Sequence, residues 1–352
     1  IILTSFLFLL TFTFTQFKIN SKHIYYVIIF ILFLISAFRF QVGCDWDPYY
    51  YLYKNIPYID WKSNTSIREP LFLVIFFISD YLNLPYPFIN IFSSAIFFLG
   101  IHTLAKRQPD PLSFIVLIFP ILILNMPMSG IRQGAAIGVI CMAFVAFIDR
   151  GPLKYIFLVL IATGLHSSAI VFLLLVPFAS GRYNNTRVAL ALLLLIPCAI
   201  FSLFLEGPKF AVNTYVGTGR EAFGAVFRVG FLSLSALYFF LFVKKKWRKS
   251  FPLDYSVVNL GAIIMILILF LVPVSTIISD RYGYYFIPIQ AIIFSRLPFL
   301  PFNRHLLIHS LFPYLAVIII FITWTQTSWH FQECYIPYKS WIFGFPDTEF
   351  FR

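Results

Sequence analysis

Apolar runs close to bilayer length recur along this chain with few charges inside them, and no other feature restricts its fold as strongly. A backbone in hydrocarbon must satisfy its own N–H and C=O groups, which leaves the helix bundle or the closed barrel. The alternating ten-residue pattern of a barrel is absent. The expected fold class is therefore an all-α polytopic membrane protein. Composition agrees, because 60% of the 352 residues are hydrophobic and 11% are charged, outside the range of a soluble domain. No polar stretch is long enough to bury a core of its own, so a single membrane domain is expected over 1–352.

The spans read as 3–17, 24–38, 87–104, 112–124, 130–148, 153–165, 167–180, 187–204, 225–243, 255–278, 282–297 and 305–325, giving about 12–13 helices in all. The formal charge of +12 would suggest nucleic acid in a soluble protein. Here the basic residues cluster in short loops, notably Lys244 to Lys249, which is the positive-inside signature and argues against a nucleic-acid partner. With Lys18/Lys22, Lys106/Arg107, Arg150/Lys154, Arg182/Arg187, Lys244 to Lys249 and Arg304 in the cytoplasm, the segments 39–68, 125–129, 206–224, 279–281 and 327–352 lie outside. The stretch 153–180 must go out and return, with a helix stop at Gly164, a Ser cap after it, and His166 at the apex. Residues 70–82 hold a short apolar run from Leu71 to Ile78 and read as a re-entrant or tilted half-helix.

The cysteines Cys44, Cys141, Cys198 and Cys334 show no metal or redox spacing. Cys141 and Cys198 fall inside spans. Cys44 and Cys334 face the same oxidising compartment in this threading, but nothing in the sequence pairs them, and they are expected to stay unbridged.

Arg132 is the most telling polar residue, at the mouth of the apolar run that begins Ser129-Gly130-Ile131-Arg132-Gln133. A guanidinium at that depth keeps its charge and needs an anion. A carboxylate from another segment, a lipid headgroup and a substrate phosphate would all serve. The polar residues assigned to the outer side are Arg39, Asp45, Asp47, Glu69, Arg132, His166, Arg220, Glu221, Arg228, Asp280 and Arg281. If the spans gather them, they form an outward-facing, Arg-rich cavity suited to a pyrophosphate, whose oxygens a planar guanidinium grips in pairs. The bland readings are an internal ion pair or snorkelling for Arg132, a helix cap for His166, and an interfacial aromatic belt around Asp280-Arg281-Tyr282.

The loop Arg39 to Tyr50 mixes carboxylates with aromatic faces, as sugar sites do, and the tail repeats the theme in Trp329-His330-Phe331 and Tyr335 to Trp341. Asp45 could act as general base for a hydroxyl if burial raised its pKa. Glu69, just before Pro70 at a helix start, reads first as structural. There is no phosphate loop, no His-Glu-x-x-His and no Gly-x-Ser-x-Gly elbow. Asp45-Trp46-Asp47 has the spacing of a metal site but stands alone. A metal-independent reaction without cofactor is expected, with arginines in the place of a divalent cation.

Taken in order, Arg39…Gly43-x-Asp45…Tyr50, Glu69-Pro70, Ser129-Gly130-Ile131-Arg132-Gln133, Gly164-Leu165-His166-Ser167-Ser168-Ala169 and Arg281-Tyr282…Tyr285 resemble the EpsG/Wzy-type polysaccharide polymerases over residues 39–290. The Ile-Arg-Gln and Leu-His-Ser-Ser-Ala pieces are the most specific. Cys44 stands where a small polar residue is more usual.

The resemblance implies a GT-C-like bundle in the bacterial inner membrane, a glycosyltransferase that moves a glycan chain from undecaprenyl pyrophosphate onto a lipid-linked repeat unit at the periplasmic face. Donor and acceptor are both undecaprenyl-pyrophosphate-linked, membrane lipids surround them, and a chain-length-regulating copolymerase is a further partner of such enzymes. Carried over, Arg132 and Arg281 hold the pyrophosphate with His166 beside them, and Asp45 or Glu69 orients or deprotonates the acceptor. Arg39, Gln133, Arg220, Tyr282 and Tyr285 complete the expected substrate contacts. A single displacement inverts the anomeric centre. An O-antigen ligase shares the donor and differs in acceptor. A lipid-linked oligosaccharide flippase would place charges along the whole path and often shows repeated halves, and this chain has no internal repeat.

Overall fold

The computed structural model describes residues 22–56, 69–180, 186–187, 189–191, 193, 212–219, 221–222, 224–302 and 306–344. Among them the chain is helical throughout, with no strand beyond an isolated bridge between Arg39 and Ser340. The expected span 3–17, most of 187–204, and Arg220 lie outside the described residues.

The helices are α1 (Lys22–Ala37), α2 (Trp46–Asn55), α3 (Pro70–Tyr81), α4 (Phe88–Ala105), α5 (Pro111–Ile118), α6 (Ile131–Ile148), α7 (Pro152–Leu165), α8 (Ala225–Tyr238), α9 (Lys244–Ser250), α10 (Tyr255–Leu269), α11 (Thr276–Ser295), α12 (Leu306–Thr327) and α13 (Trp329–Tyr335). A π-helical turn, Phe119–Ile123, extends α5, and a second one, Phe239–Val243, joins α8 to α9. Pro120 sits in the first of these and has no N–H to offer the α-helical ladder, which accounts for the widened turn.

Phe88–Ala105, Ile131–Ile148, Ala225–Ser250 and Leu307–Thr327 are long and apolar enough to cross a membrane. Shorter apolar helices pack around them. α3 has 12 residues, about 18 Å at 1.5 Å per residue, short of a full hydrocarbon core.

Local chemistry sets the starts. Prolines open α3, α5 and α7 where a missing N–H costs nothing. Asp110 accepts from Leu112 N at 3.1 Å and Ser113 N at 3.3 Å to cap α5. One boundary differs from the sequence reading. The expected break at 279–281 lies instead between α10 and α11, at 270–275, because Pro273 disfavours helix at Val272 and Ser275 caps the next start. Asp280 and Arg281 therefore sit inside α11, near its N-terminal end, and not in a loop.

α4 and α6 cross with their backbones nearly touching. A Cβ on Gly138 would lie 2.6 Å from Phe97 Cα, and one on Gly100 would collide with the Gly138 carbonyl. Close approach of small residues is how helices associate where lipid removes the hydrophobic drive. α6 is the central element, with Ile131, Ala135, Ile137, Phe144 and Phe147 all buried.

The hairpin expected over 153–180 is present. α7 ends at Leu165, His166 is extended, and a 3-10 helix, Ser167–Phe178, returns along it. The cysteine expectation fails, since Cys44 and Cys334 form a disulfide across 290 residues. The sequence put both cysteines in one compartment but could not pair them, because the pairing depends on the tail folding back over the loop at 38–44. There Phe40 N donates to Lys339 O (2.9 Å), Gly43 N to Cys334 O (2.8 Å) and Trp341 N to Phe38 O (3.0 Å).

Candidate active site

A cavity of about 710 Å³ opens between α2, α3, the start of α6, the α7 hairpin and α11. It collects Asp45, Glu69, Arg132, Gln133, His166, Asp280, Arg281 and Tyr282, from segments far apart in the chain. Of the residues expected to bind or catalyse, Asp45, Glu69, Arg132, Gln133, His166, Arg281 and Tyr282 all line it.

Glu69 is the hub. It precedes Pro70, so the helix start fixes it at the cavity wall, and its side chain is only 7% exposed. Its Oε1 lies 2.6 Å from His166 Nδ1, and its Oε2 pairs with Arg132 Nη1. Burial on its own would raise the Glu69 pKa. The hydrogen bond from His166 and the charge of Arg132 outweigh that and hold the carboxyl at about 2. Burial, helped by Arg132 and Arg281 and opposed by Glu69, moves His166 below its ordinary 6.5. The pair is thus a carboxylate and a neutral imidazole whose Nδ1–H faces Glu69, which leaves Nε2 as the acceptor.

Arg132 lies in the first turn of α6, where the helix dipole is unfavourable to a cation. Glu69 offsets this, and Arg132 Nε donates to Tyr49 OH at 3.2 Å with the guanidinium carbon 5.1 Å from the Tyr49 ring centre. The anion that its position demanded is therefore a protein carboxylate, at least in part. The side chain keeps 33% exposure, and Nη2 has no partner among the described residues.

Arg281 differs. It donates to Tyr215 OH at 3.1 Å and lies over that ring at 4.7 Å, and it has no carboxylate partner among the described residues. Its backbone carbonyl accepts from Gln133 Nε2 at 2.6 Å, which locks α11 to α6. Asp280, its neighbour, is engaged elsewhere, by Arg228 through Nε–Oδ1 at 2.8 Å and Nη2–Oδ2 at 2.6 Å. With Glu69 and Asp280 both paired, Arg281 and Asp45 are left as the charged groups lining the cavity without an ion-pair partner among the described residues.

Two expected site residues are elsewhere. Arg39 is 1% exposed and bonds Asn90 Oδ1 and Val42 O at 2.7 Å each and Pro127 O at 3.4 Å, so it ties loops together and does not reach the cavity. Its charge misled the sequence reading, since an arginine at the end of a span looks the same whether it faces ligand or backbone. Tyr285 is buried behind the wall and bonds Ser168 Oγ at 3.0 Å, while Tyr284, one residue earlier, lines the cavity. Sequence reasoning missed Tyr49, Tyr215 and Ser168 as neighbours of the charged residues. Tyr49 was detectable, one helical turn after Asp45, whereas nothing in sequence pointed to Tyr215.

Helical throughout its described length, carrying spans of membrane length and a polar, arginine-bearing cavity at helix ends, the molecule is an all-α polytopic membrane protein. The family model described as the EpsG family matches residues 22–340, and the chain belongs to that family, one of Wzy-type polymerases. No curated protein and no solved structure matches it.

Proposed function

We propose that this protein polymerises polysaccharide by transferring a glycan chain from undecaprenyl pyrophosphate onto the terminal hydroxyl of a second lipid-linked repeat unit, at the periplasmic face of the bacterial inner membrane. The observation that carries the reading is the division of labour around the cavity, where Arg281 has no acidic partner among the described residues and His166 has a carboxylate behind it.

In this reading Arg281 and the free edge of Arg132 hold the donor's pyrophosphate, with first-turn amides of α6, which has no side-chain cap, beside them. His166 Nε2 takes the proton of the acceptor hydroxyl. That oxygen attacks the anomeric carbon, the bond from carbon to the pyrophosphate oxygen breaks, and the electron pair leaves with undecaprenyl pyrophosphate. The proton passes from His166 to the departing phosphate or to water. A single displacement inverts the centre. Glu69 keeps His166 in the right tautomer and stabilises its charged form, as an orienting carboxylate does. Asp45 accepts from acceptor-sugar hydroxyls, and the half-buried Tyr282 offers a stacking face. Arginines set in a poorly hydrated cavity contribute about 3 kcal/mol each to a departing pyrophosphate, by analogy with one oxyanion donor.

The test is a sugar ladder from cells that lack this gene and are complemented with Arg281→Ala or His166→Ala at matched protein level. Loss of the ladder with the single-unit product retained supports polymerisation at this site. A full ladder sinks the assignment of these residues, and loss of the single unit as well would favour ligation or flipping.

A further inference from the structure

The bridge between Cys44 and Cys334 joins the tail to the residue immediately before Asp45, which lines the cavity. The loop that carries it, 38–45, is held in a shape it would not keep alone. Gln41 has φ +52° and Gly43 φ +96°, both in the left-handed region, and any side chain at 43 would strike the Met128 carbonyl. Restraint comes from three directions. Arg39 pins the loop to Asn90 on α4 and to Pro127. The tail backbone pairs with Phe38, Phe40 and Gly43, and Tyr335 OH reaches Leu124 O at 3.0 Å.

These contacts converge on the walls of the site. The segment that Arg39 and Tyr335 grip, 124–128, leads directly into Ser129, Gly130 and Arg132, and the loop leads into Asp45 and Tyr49; all five line the cavity. Among its described residues the tail supplies none of the lining, yet it is bolted to the loop that does.

We infer that Cys44 and Cys334 are positioning residues, whose disulfide closes a tail strap that sets Asp45 for the acceptor, and that the cavity therefore opens on an oxidising compartment. The bridge locates the cavity independently of the basic loops, because a disulfide next to a lining residue persists only outside the reducing cytosol. The positioning role rests on the polymerase reading above. Closing the strap removes two protons and two electrons from the two thiols, and a disulfide-bearing oxidant outside the membrane accepts them and leaves as a dithiol. With the strap open, the loop is free to relax at Gln41 and Gly43 and Asp45 moves from its place. A displacement of about 1 Å is enough to lower a rate roughly 100-fold.

The experiment has two arms. In intact cells, a membrane-impermeant maleimide should label Cys44 and Cys334 only after a reductant is added; labelling without reductant, or none after it, overturns the oxidising-side assignment. With purified protein in nanodiscs and lipid-linked repeat units, dithiothreitol should cut ladder formation at least tenfold and raise the acceptor concentration for half-maximal extension. Reoxidation with diamide should restore both, while Cys44→Ala/Cys334→Ala should stay low and ignore the reductant. Full activity after reduction, or a loss that accompanies unfolding in a melting scan, overturns the positioning role. If untreated wild-type protein makes no ladder at all while the maleimide arm succeeds, the polymerase reading fails and the bridge stands.

Discussion

Glu69 Oε1 and His166 Nδ1 lie 2.6 Å apart although 97 residues separate them in the chain. The same carboxylate holds Arg132, so one buried acid sets both the tautomer of an imidazole and the orientation of a guanidinium. The first prediction concerns this hub. Glu69→Gln keeps the shape and removes the charge, stranding Arg132 without its counterion. The cost is expected at about 3 kcal/mol, the low end for breaking a buried pair, because Arg132 stays partly exposed. Polymer formation should fall by about 100-fold or more, since the wrong His166 tautomer is then equally available. Melting in detergent and a ladder assay measure the two effects, and unchanged values for both would remove Glu69 from the hub.

The second prediction follows from pH. The folded His166 pKa lies below 6.5, so the imidazole is neutral at pH 7 and competent as a base. Activity should be level above 6.5 and fall on the acid side as His166 takes up its proton. The sign for stability agrees: between the unfolded value and the lower folded one, only the unfolded chain binds the proton, so stability drops as pH falls through that window. Glu69, depressed to about 2 from 4.5, adds a further loss only below pH 4.5. An acid limb centred above 6.5 would contradict the neutral-histidine arrangement.

Arg281 and Arg228 should separate function from folding. Arg281→Ala loses no ion pair among the described residues and is expected to leave the melting temperature within a few degrees while reducing polymer about 100-fold. Arg228→Ala strands the buried Asp280 carboxylate and should destabilise by about 3 kcal/mol. Measuring both variants by melting and by ladder would expose an error if the pattern came out reversed.

Packing supplies the fourth prediction. Gly138→Leu cannot be accommodated where Phe97 Cα lies 2.6 Å from the place an added Cβ would take, so α4 and α6 must part. Loss of folded, detergent-extractable protein is expected, whereas Gly230→Ala, with open space around it, should express normally. Comparable yields of the two proteins would show that the crossing tolerates separation.

Arg39 tests the distinction between a charged residue in a site and one in a scaffold. Arg39→Lys keeps the charge but cannot reach Asn90, Val42 and Pro127 together. Reduced stability is expected, with the donor dependence of the surviving activity unchanged and any shift confined to the acceptor, whose loop Arg39 helps to hold; melting and titrations of each substrate measure the two.

The membrane class and the hairpin turning at His166 were legible in sequence because each depends on local quantities: apolar run length, and a Gly followed by Ser at the turn. Arg132 and His166 stood out for the same reason, since polar groups beside a hydrocarbon layer are costly wherever they occur. What the sequence could not determine was partnership. Whether Arg132 met a carboxylate or a ligand depended on where Glu69 arrived, 63 residues earlier in the chain. Arg39 and Arg281 look alike in sequence, and only the fold buries one among carbonyls and leaves the other facing a cavity. The Cys44–Cys334 bridge, spanning 290 residues, is the extreme case. Short-range preferences decide elements, but a contact between distant segments is decided by the packing of all the helices between them, and that information is carried by no single stretch of the chain.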